Sequence, residues 1–167
     1  EEDNGHGHSV RKLSPTGEIL LTLGTPGEAG NDNAHFNRPS AVAIGLNGEI
    51  YVGDGHGGNT NARVMMFNPD GSFVKSWGQL GSAQGEFDQP HAMAVDSTGR
   101  LFVGDRANNR IQIFDAEGNF LDEWKQFGRP SGIYIDDNDM IYVADSQSDE
   151  MVNPGFEQGV RIGSTSD

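Results

Sequence analysis

Residues 87–96 read FDQPHAMAVD, and two other stretches repeat their frame: FNRPSAVAIG at 36–45 and FGRPSGIYID at 127–136. Each is Phe-x-x-Pro followed by alternating small and apolar residues. After the proline the outer copies carry Ser40 and Ser131, and the middle one carries His91. Working outward, a second apolar run closes on aspartate in every copy: IYVGD at Asp54, LFVGD at Asp105, IYVAD at Asp145. A third run ends in a turn, FNPDG through Gly71 and FDAEG through Gly118, with an earlier partial copy, LSPTG, through Gly17. Six residues beyond these glycines stand Leu23, Trp77 and Trp124. The spacing runs from 40 residues (Phe87 to Phe127) to 54 (Gly17 to Gly71), the signature of a repeat architecture.

Each unit reads as four short strands. In the middle copy these are 92–95, 101–105, 111–115 and 120–124, joined by STG(R), RANNR and AEGN, which is turn chemistry. Short β-branched and aromatic strands spaced by turns predict an all-β chain, a β-propeller of four-stranded blades. A parallel β-helix is the alternative, but its coils are shorter than these units. One propeller domain or fragment over 1–167 is expected, with a partial blade at 1–30 and blades at about 36–78, 87–124 and 127–167. Roughly three blades fall short of the four to eight of closed rings. The chain is therefore expected to be a piece of a longer one, or to self-associate through its open sheet edges.

The 167 residues carry 25 acidic and 11 basic side chains, a formal charge of −14. Such a surface repels phosphate backbones and argues against nucleic acid as partner. Divalent metals or cationic partners suit it, although solubility alone accounts for an acidic balance. With no cysteine, disulfides and thiolate metal sites are excluded. No apolar run approaches the about 20 residues of a membrane-spanning helix, and no signal peptide stands at the start. An exported location, periplasmic or extracellular, is the expectation.

FDQPHAMAVDSTGRLFVGDRANNRIQIFD resembles an NHL repeat, a unit of six-bladed propellers. More narrowly, YVGDGHGGNTNARVMMFNPDGSFVKSWG, GEFDQPHAMAV, VGDRANNRIQIF and the FGR at 127–129 resemble the peptidyl-α-hydroxyglycine α-amidating lyase family over about 36–130. That resemblance implies a zinc-dependent carbon–nitrogen lyase cleaving peptidyl-α-hydroxyglycine to peptide amide and glyoxylate. It implies a histidine-bound zinc at the ring centre, with His91 on the first zinc histidine. It also implies a structural calcium, with Val42 and Met93 on the positions whose backbone carbonyls hold it. Arg63 falls on a substrate-contacting, catalytic arginine, and the catalytic tyrosine falls near Tyr142. The family's DGYC step reads DGHG at 54–57, so its cysteine is absent and His56 replaces a tyrosine. The family's other zinc histidines lie on blades after those matched here.

Each candidate has a plainer reading. His91 opens an innermost strand, where a side chain points toward the axis; a neutral imidazole there ligates a metal or merely hydrogen-bonds a neighbouring loop. Arg63 and Arg110 occupy one repeat position, which favours pairing with Asp54 and Asp105; the functional reading of Arg63 is a bidentate grip on a carboxylate. His56, in the GHGGNTNA loop, and Arg106, after Asp105, are further substrate-binding candidates. The GHGH at 5–8 resembles a metal-binding snippet, but His6 and His8 in such a Gly-rich end read as solvated. Asp54, Asp105 and Asp145 read as structural, and Trp77 and Trp124 as packing between blades. The turns lack EF-hand spacing, and no nucleophile elbow, phosphate loop or HExxH is present. The partner is thus expected to be a small peptide substrate or a protein. The reading from another class is an exported NHL propeller that binds or assembles without chemistry. A sugar-lactone or ester hydrolase also fits such a scaffold, since fold does not fix function.

Overall fold

The structure is a computed structural model and describes residues 7–166. Its thirteen strands form four antiparallel sheets in chain order. A ribbon, β1 (Val10–Leu13) and β2 (Ile19–Leu23), comes first. Two four-stranded sheets follow: β3 (Pro39–Ile44), β4 (Ile50–Asp54), β5 (Arg63–Phe67), β6 (Phe73–Trp77), then β7 (Pro90–Val95), β8 (Leu101–Asp105), β9 (Arg110–Phe114), β10 (Phe120–Trp124). The last has three: β11 (Pro130–Ile135), β12 (Met140–Asp145), β13 (Gly159–Ser164). Within each, neighbours in sequence are neighbours in space, and the first strands β3, β7 and β11 pack side by side. This is part of a β-propeller, with those strands lining its axis. No helix among the described residues is long and apolar enough to cross a membrane.

Two boundaries differ from the sequence reading. The inner strands begin at the prolines, because Pro39, Pro90 and Pro130 pair with the closing aspartates Asp54, Asp105 and Asp145. The third strand of the middle blade starts at Arg110, which pairs with Asp105, and stops before Asp115. Asp115 instead accepts the N–H and side-chain amide of Asn119 across the turn. Between β8 and β9, Arg106–Asn108 make one 3-10 turn, closed by Asn109 at φ +53°.

The core lies between blades. Tyr51 and Val64 of one sheet pack with Phe87, Leu101, Val103 and Phe114 of the next, and Phe102, Ile111 and Ile113 pack with Phe127, Ile141 and Val143 beyond. Trp77 meets Tyr51 and Phe114, and Trp124 meets Phe102 and Phe127, so the tryptophans sit at blade interfaces. The closing V-G-D step explains how tightly adjacent blades dock. A Cβ on Gly53 would stand 2.6 Å from the Pro90 carbonyl oxygen, and one on Gly104 would stand 3.1 Å from Pro130. The third copy places Ala144 at this step.

The recurring aspartates bind each blade to the loop that enters it. Asp54 accepts Asn37 N–H (2.7 Å), Asn61 Nδ2 (2.7 Å) and Arg63 Nε (2.9 Å). Asp105 accepts Asp88 N–H (2.6 Å), Asn108 Nδ2 (2.8 Å) and Arg110 Nε (2.8 Å). Burial pushes both carboxyls above the usual 3.8, and these donors pull back. Each arginine then reaches three carbonyls of the preceding loop: Asn31, Asp32 and His35 for Arg63, and Ser82, Ala83 and Glu86 for Arg110. In the third sheet Arg161, which stands opposite Val143, reaches Asp145 through Nη1 at 3.2 Å.

Candidate functional site

At the end of the sheets where the inner strands begin, a cavity of about 300 Å³ is lined by Arg38, Pro39, Ser40, His56 and His91. A larger cleft of about 380 Å³ is apolar and lies between the β1–β2 ribbon and the first full blade, where the ribbon covers only part of that blade's face. The first, which is polar, holds His56 and His91 and is the candidate site.

His91 enters the cavity from the start of β7. Its Nδ1–H donates to the Ser131 carbonyl (3.0 Å), which fixes the tautomer and leaves the Nε2 lone pair without a protein partner among the described residues. Burial, then the positive charge of Arg106, hold its pKa below the usual 6.5, with His56 and Arg129 adding to the effect. Ser40, its counterpart one blade back, donates instead to the Pro90 carbonyl (2.7 Å). Ser40 therefore links neighbouring inner strands, the Ser131 hydroxyl instead meets Ser146 (2.6 Å), and the histidine makes the inter-strand link with one nitrogen to spare.

His56 arrives from the β4–β5 loop, whose glycines Gly55, Gly57 and Gly58 all have positive φ and let the chain curl over the cavity. Its ring centre lies 5.1 Å from that of His91. Arg106 donates from Nη2 to His56 Nε2 (3.3 Å) and to Gln89 Oε1 (2.6 Å), and from Nε to the same Gln89 oxygen (3.1 Å). The 3-10 turn carrying Arg106 is stitched to the start of β7 by Arg106 N–H to Gln89 O and Ala107 N–H to Asp88 O. Arg129 donates to Gln147 Oε1, to the Arg106 carbonyl and to Asn109 Oδ1.

The other expected residues lie elsewhere. Arg63 does not line the cavity; four of its five N–H groups are engaged by Asp54 and the 31–35 loop. Tyr142 belongs to the far end of its sheet: it pairs with Tyr134, and its hydroxyl donates to Asp136 (3.2 Å) in the opposite turn. That hydrogen bond and the Asp136 charge raise the phenol above 10, away from service as a base. Val42 and Met93 occupy one rung of consecutive inner strands, opposite Val52 and Val103. His8 Nδ1 accepts the Arg38 N–H, His35 binds Asp32, and His6 lies outside the described residues.

Among the described residues, no three His, Asp or Glu side chains group as a metal site. His91 alone fits the donor set of a zinc centre, as a neutral imidazole oriented through its other nitrogen. The lone pair of His56 Nε2 is already engaged by Arg106.

The family model for the NHL repeat matches residues 87–114. The human NHL repeat-containing protein 3 is 37% identical over 102 residues, covering 60% of this chain and 29% of that protein. A peptidyl-glycine alpha-amidating monooxygenase of Xenopus laevis is 41% identical over 106 residues, 59% of this chain and 11% of its own length. A probable peptidyl-alpha-hydroxyglycine alpha-amidating lyase of Caenorhabditis elegans is 34% identical over 106 residues, 59% of this chain and 29% of its own. The chain thus spans less than a third of the length of each of these relatives. In fold it is similar to a gluconolactonase of Xanthomonas campestris, with a TM-score of 0.56 at 19% identity over 82% of this chain and 41% of that one. It is also similar to the hydrazine synthase of Kuenenia stuttgartiensis, with a TM-score of 0.58 at 17% identity over 84% and 37%.

Proposed function

We propose that this NHL-repeat propeller is of the amidating-lyase type, cleaving peptidyl-α-hydroxyglycine to a peptide amide and glyoxylate. The observation that supports it best is His91, a neutral imidazole with a free Nε2 in a polar cavity at the axial end of the blades. His91 is the residue that would hold zinc here, with further ligands supplied from outside the described blades. A bound zinc ion is a Lewis acid that polarises a substrate oxygen and eases loss of its proton. The Ser131 carbonyl keeps the imidazole in the ligating tautomer, and burial, followed by the Arg106 charge, favours its neutral form. In the reaction the carbinol oxygen loses its proton and becomes the aldehyde oxygen of glyoxylate as the C–N bond breaks, and the nitrogen takes up a proton to leave as the amide. Val42 and Met93 enter the same proposal as carbonyl donors to a calcium ion, because they share one rung of neighbouring inner strands. An exported location completes it.

The test is the full-length protein with an α-hydroxyglycine peptide and zinc, with glyoxylate as readout. His91→Ala is expected to lower kcat/KM by more than about 100-fold, since even groups that only orient a ligand are worth about 10- to 100-fold. Absence of glyoxylate from the zinc-loaded wild type overturns the lyase reading and leaves a propeller that binds.

A further inference from the structure

The first and last sheets are complementary fragments of one blade. β1 and β2 hold the places of a third and a fourth strand, because Val10 pairs with Leu23 as Val64 pairs with Trp77. Among the described residues no first or second strand pairs with them. β11, β12 and β13 hold the first three places, and no fourth strand pairs with β13. The two third strands also share a feature that the full blades lack. Both read Val-Arg, at Val10-Arg11 and Val160-Arg161, and Ser9 and Gly159 stand at the place of Arg63 and Arg110. Each fragment leaves an apolar face open. The cleft of about 380 Å³ beside the ribbon runs over Val42, Ile44, Ile50 and Pro69 of the first full blade. At the other end the rings of Tyr134 and Tyr142 lie 5.8 Å apart on the outward face of the third sheet, with Val160 and Ile162 exposed beside them. The charges differ as well. Residues 130–166 carry seven acidic side chains and one basic one, Arg161, whereas Arg11 and Lys12 line the cleft from the ribbon.

We propose that two copies of this chain close one ring, the β1–β2 ribbon of each completing the third sheet of the other in place of β13. In the shared blade Val10-Arg11 of the second copy takes the register of Val160-Arg161, opposite Ala144 and Val143. Arg11 arrives at Asp145 as Arg161 leaves it, and Lys12 brings a second cation to the acidic sheet. β11 and β12 fill the cleft over Val42 and Ile44. This joint copies the one between the two full blades, where Ala43 and Tyr51 pack with Val95 and Phe114. There the Tyr51 hydroxyl donates to the Ala116 carbonyl in the next blade's turn (3.1 Å). Tyr134 and Tyr142 hold the places of Ala43 and Tyr51, Ile44 that of Val95, and Pro69 that of Ala116. Tyr142 therefore exchanges Asp136 for the Pro69 carbonyl of the second copy. Two complete blades and one shared blade per copy give six, within the four to eight of closed rings. Exchanging like strands costs little, and the gain is a paired edge and two covered apolar faces. Ala144 stands where Gly53 and Gly104 admit the next proline, so this joint is the wider one and the association is reversible. None of this depends on the lyase reading.

The experiment is sedimentation velocity of the 167-residue chain over a concentration series, with hydrogen exchange read by mass spectrometry at both ends of the series. The 18.0 kDa chain is expected to give way to a species of twice that mass and nothing larger, because the ring closes. As the dimer forms, residues 40–44 should gain protection, and 159–164 should lose it as the displaced strand leaves its sheet. Ile44→Asp and Tyr134→Asp, both at positions exposed in the single chain, are each expected to weaken the dimer at least about ten-fold. Circular dichroism of both variants should stay that of the wild type, and Leu121→Asp, exposed on β10, should leave the dimer unchanged. The chain has no cysteine, so Ile44→Cys and Tyr134→Cys proteins should form a disulfide-linked dimer when mixed and not when kept apart. A single 18.0 kDa species at every concentration, an open series of larger species, a dimer in which β13 stays protected, or one indifferent to both aspartate substitutions overturns the proposal.

Discussion

Replacing Asp105 by asparagine changes one atom of a carboxylate and removes its charge, which makes it a stringent probe of the blade clasp. Asp105 is fully buried; Oδ1 accepts Asp88 N–H, and Oδ2 accepts both Asn108 Nδ2 and Arg110 Nε. The amide keeps the first bond but turns an N–H₂ toward the other two donors. Two buried donors then lose their acceptor at about 1–3 kcal/mol each, and Arg110, 4% exposed, keeps only Glu123 as a counter-charge. The expected cost is about 3–5 kcal/mol, the range for breaking a buried ion pair from one side. That is a large part of the about 5–15 kcal/mol that stabilises a domain. Urea unfolding followed by Trp77 and Trp124 fluorescence reads it as a midpoint lowered by about 2 M, at a slope of about 2 kcal/mol/M. Asp145→Asn provides the contrast. Ser148 Oγ rotates to accept from the new amide and Arg161 is 26% exposed, which leaves the half-buried Arg129 N–H as the main loss, so about 1–2 kcal/mol is expected. A loss under 1 kcal/mol for Asp105→Asn, or equal losses at the two positions, refutes the clasp as the element that joins blade to loop.

Other outcomes follow from the same geometry. Gly53→Ala places a Cβ 2.6 Å from the Pro90 carbonyl and should destabilise by about 1–3 kcal/mol, while Gly132→Ala meets only the Ala144 methyl at 3.6 Å. The second change restores the residue of the sister copies, Ala41 and Ala92, and should stabilise by about 0.4–1 kcal/mol; opposite shifts in thermal midpoint check the pair. His91 should titrate below 6.5 in an NMR pH series, and Arg106→Gln should move it up toward that value. Because its native pKa is depressed, the stability His91 contributes is present above pH 6.5 and is lost as pH falls through the native value. A titration at or above 6.5 contradicts the cationic surroundings described for it.

The repeat made the fold legible because blade architecture is the same chemistry written three times. Phe36, Phe87 and Phe127 are buried, the prolines open inner strands, and Asp54, Asp105 and Asp145 close second strands. The equivalence of Arg63 and Arg110 also pointed to their aspartate partners, and both arginines are found there. Positions that differ between copies carried less information. His91 stood out as a serine replaced, but its approach to His56 depends on how the glycine-rich 55–58 loop folds, which no spacing encodes. Tyr142 shares the repeat position of Tyr51 and Phe102, three residues before the closing aspartate, so its catalytic reading came from the resemblance and not from the spacing.

Apart from the conservative Val95 for Ile44 and Ile135, the middle copy departs from its matching sisters at two positions, and the second is as informative as the histidine. Before the proline the outer copies carry Arg38 and Arg129, and the middle copy carries Gln89. Arg38 and Gln89 share a positive φ, +63° and +71°, so the backbone accepts either side chain. Glutamine supplies what arginine cannot, an acceptor, and Oε1 takes two N–H groups of Arg106 and turns that guanidinium toward His56. Gln89 is thus a positioning residue, and Gln89→Met separates orientation from charge. Methionine matches its length and lack of branching but accepts little, so Arg106 keeps its charge and loses its aim. The His91 imidazole is expected to titrate closer to 6.5 in an NMR pH series, because burial still depresses it but the Arg106 charge is no longer fixed beside the cavity. Folding stability should hold to within about 1 kcal/mol, since the bond lies at the cavity rim and not in the core. An unchanged His91 titration in this variant would mean that Arg106 keeps its place without Gln89, and that the amide beside it is incidental.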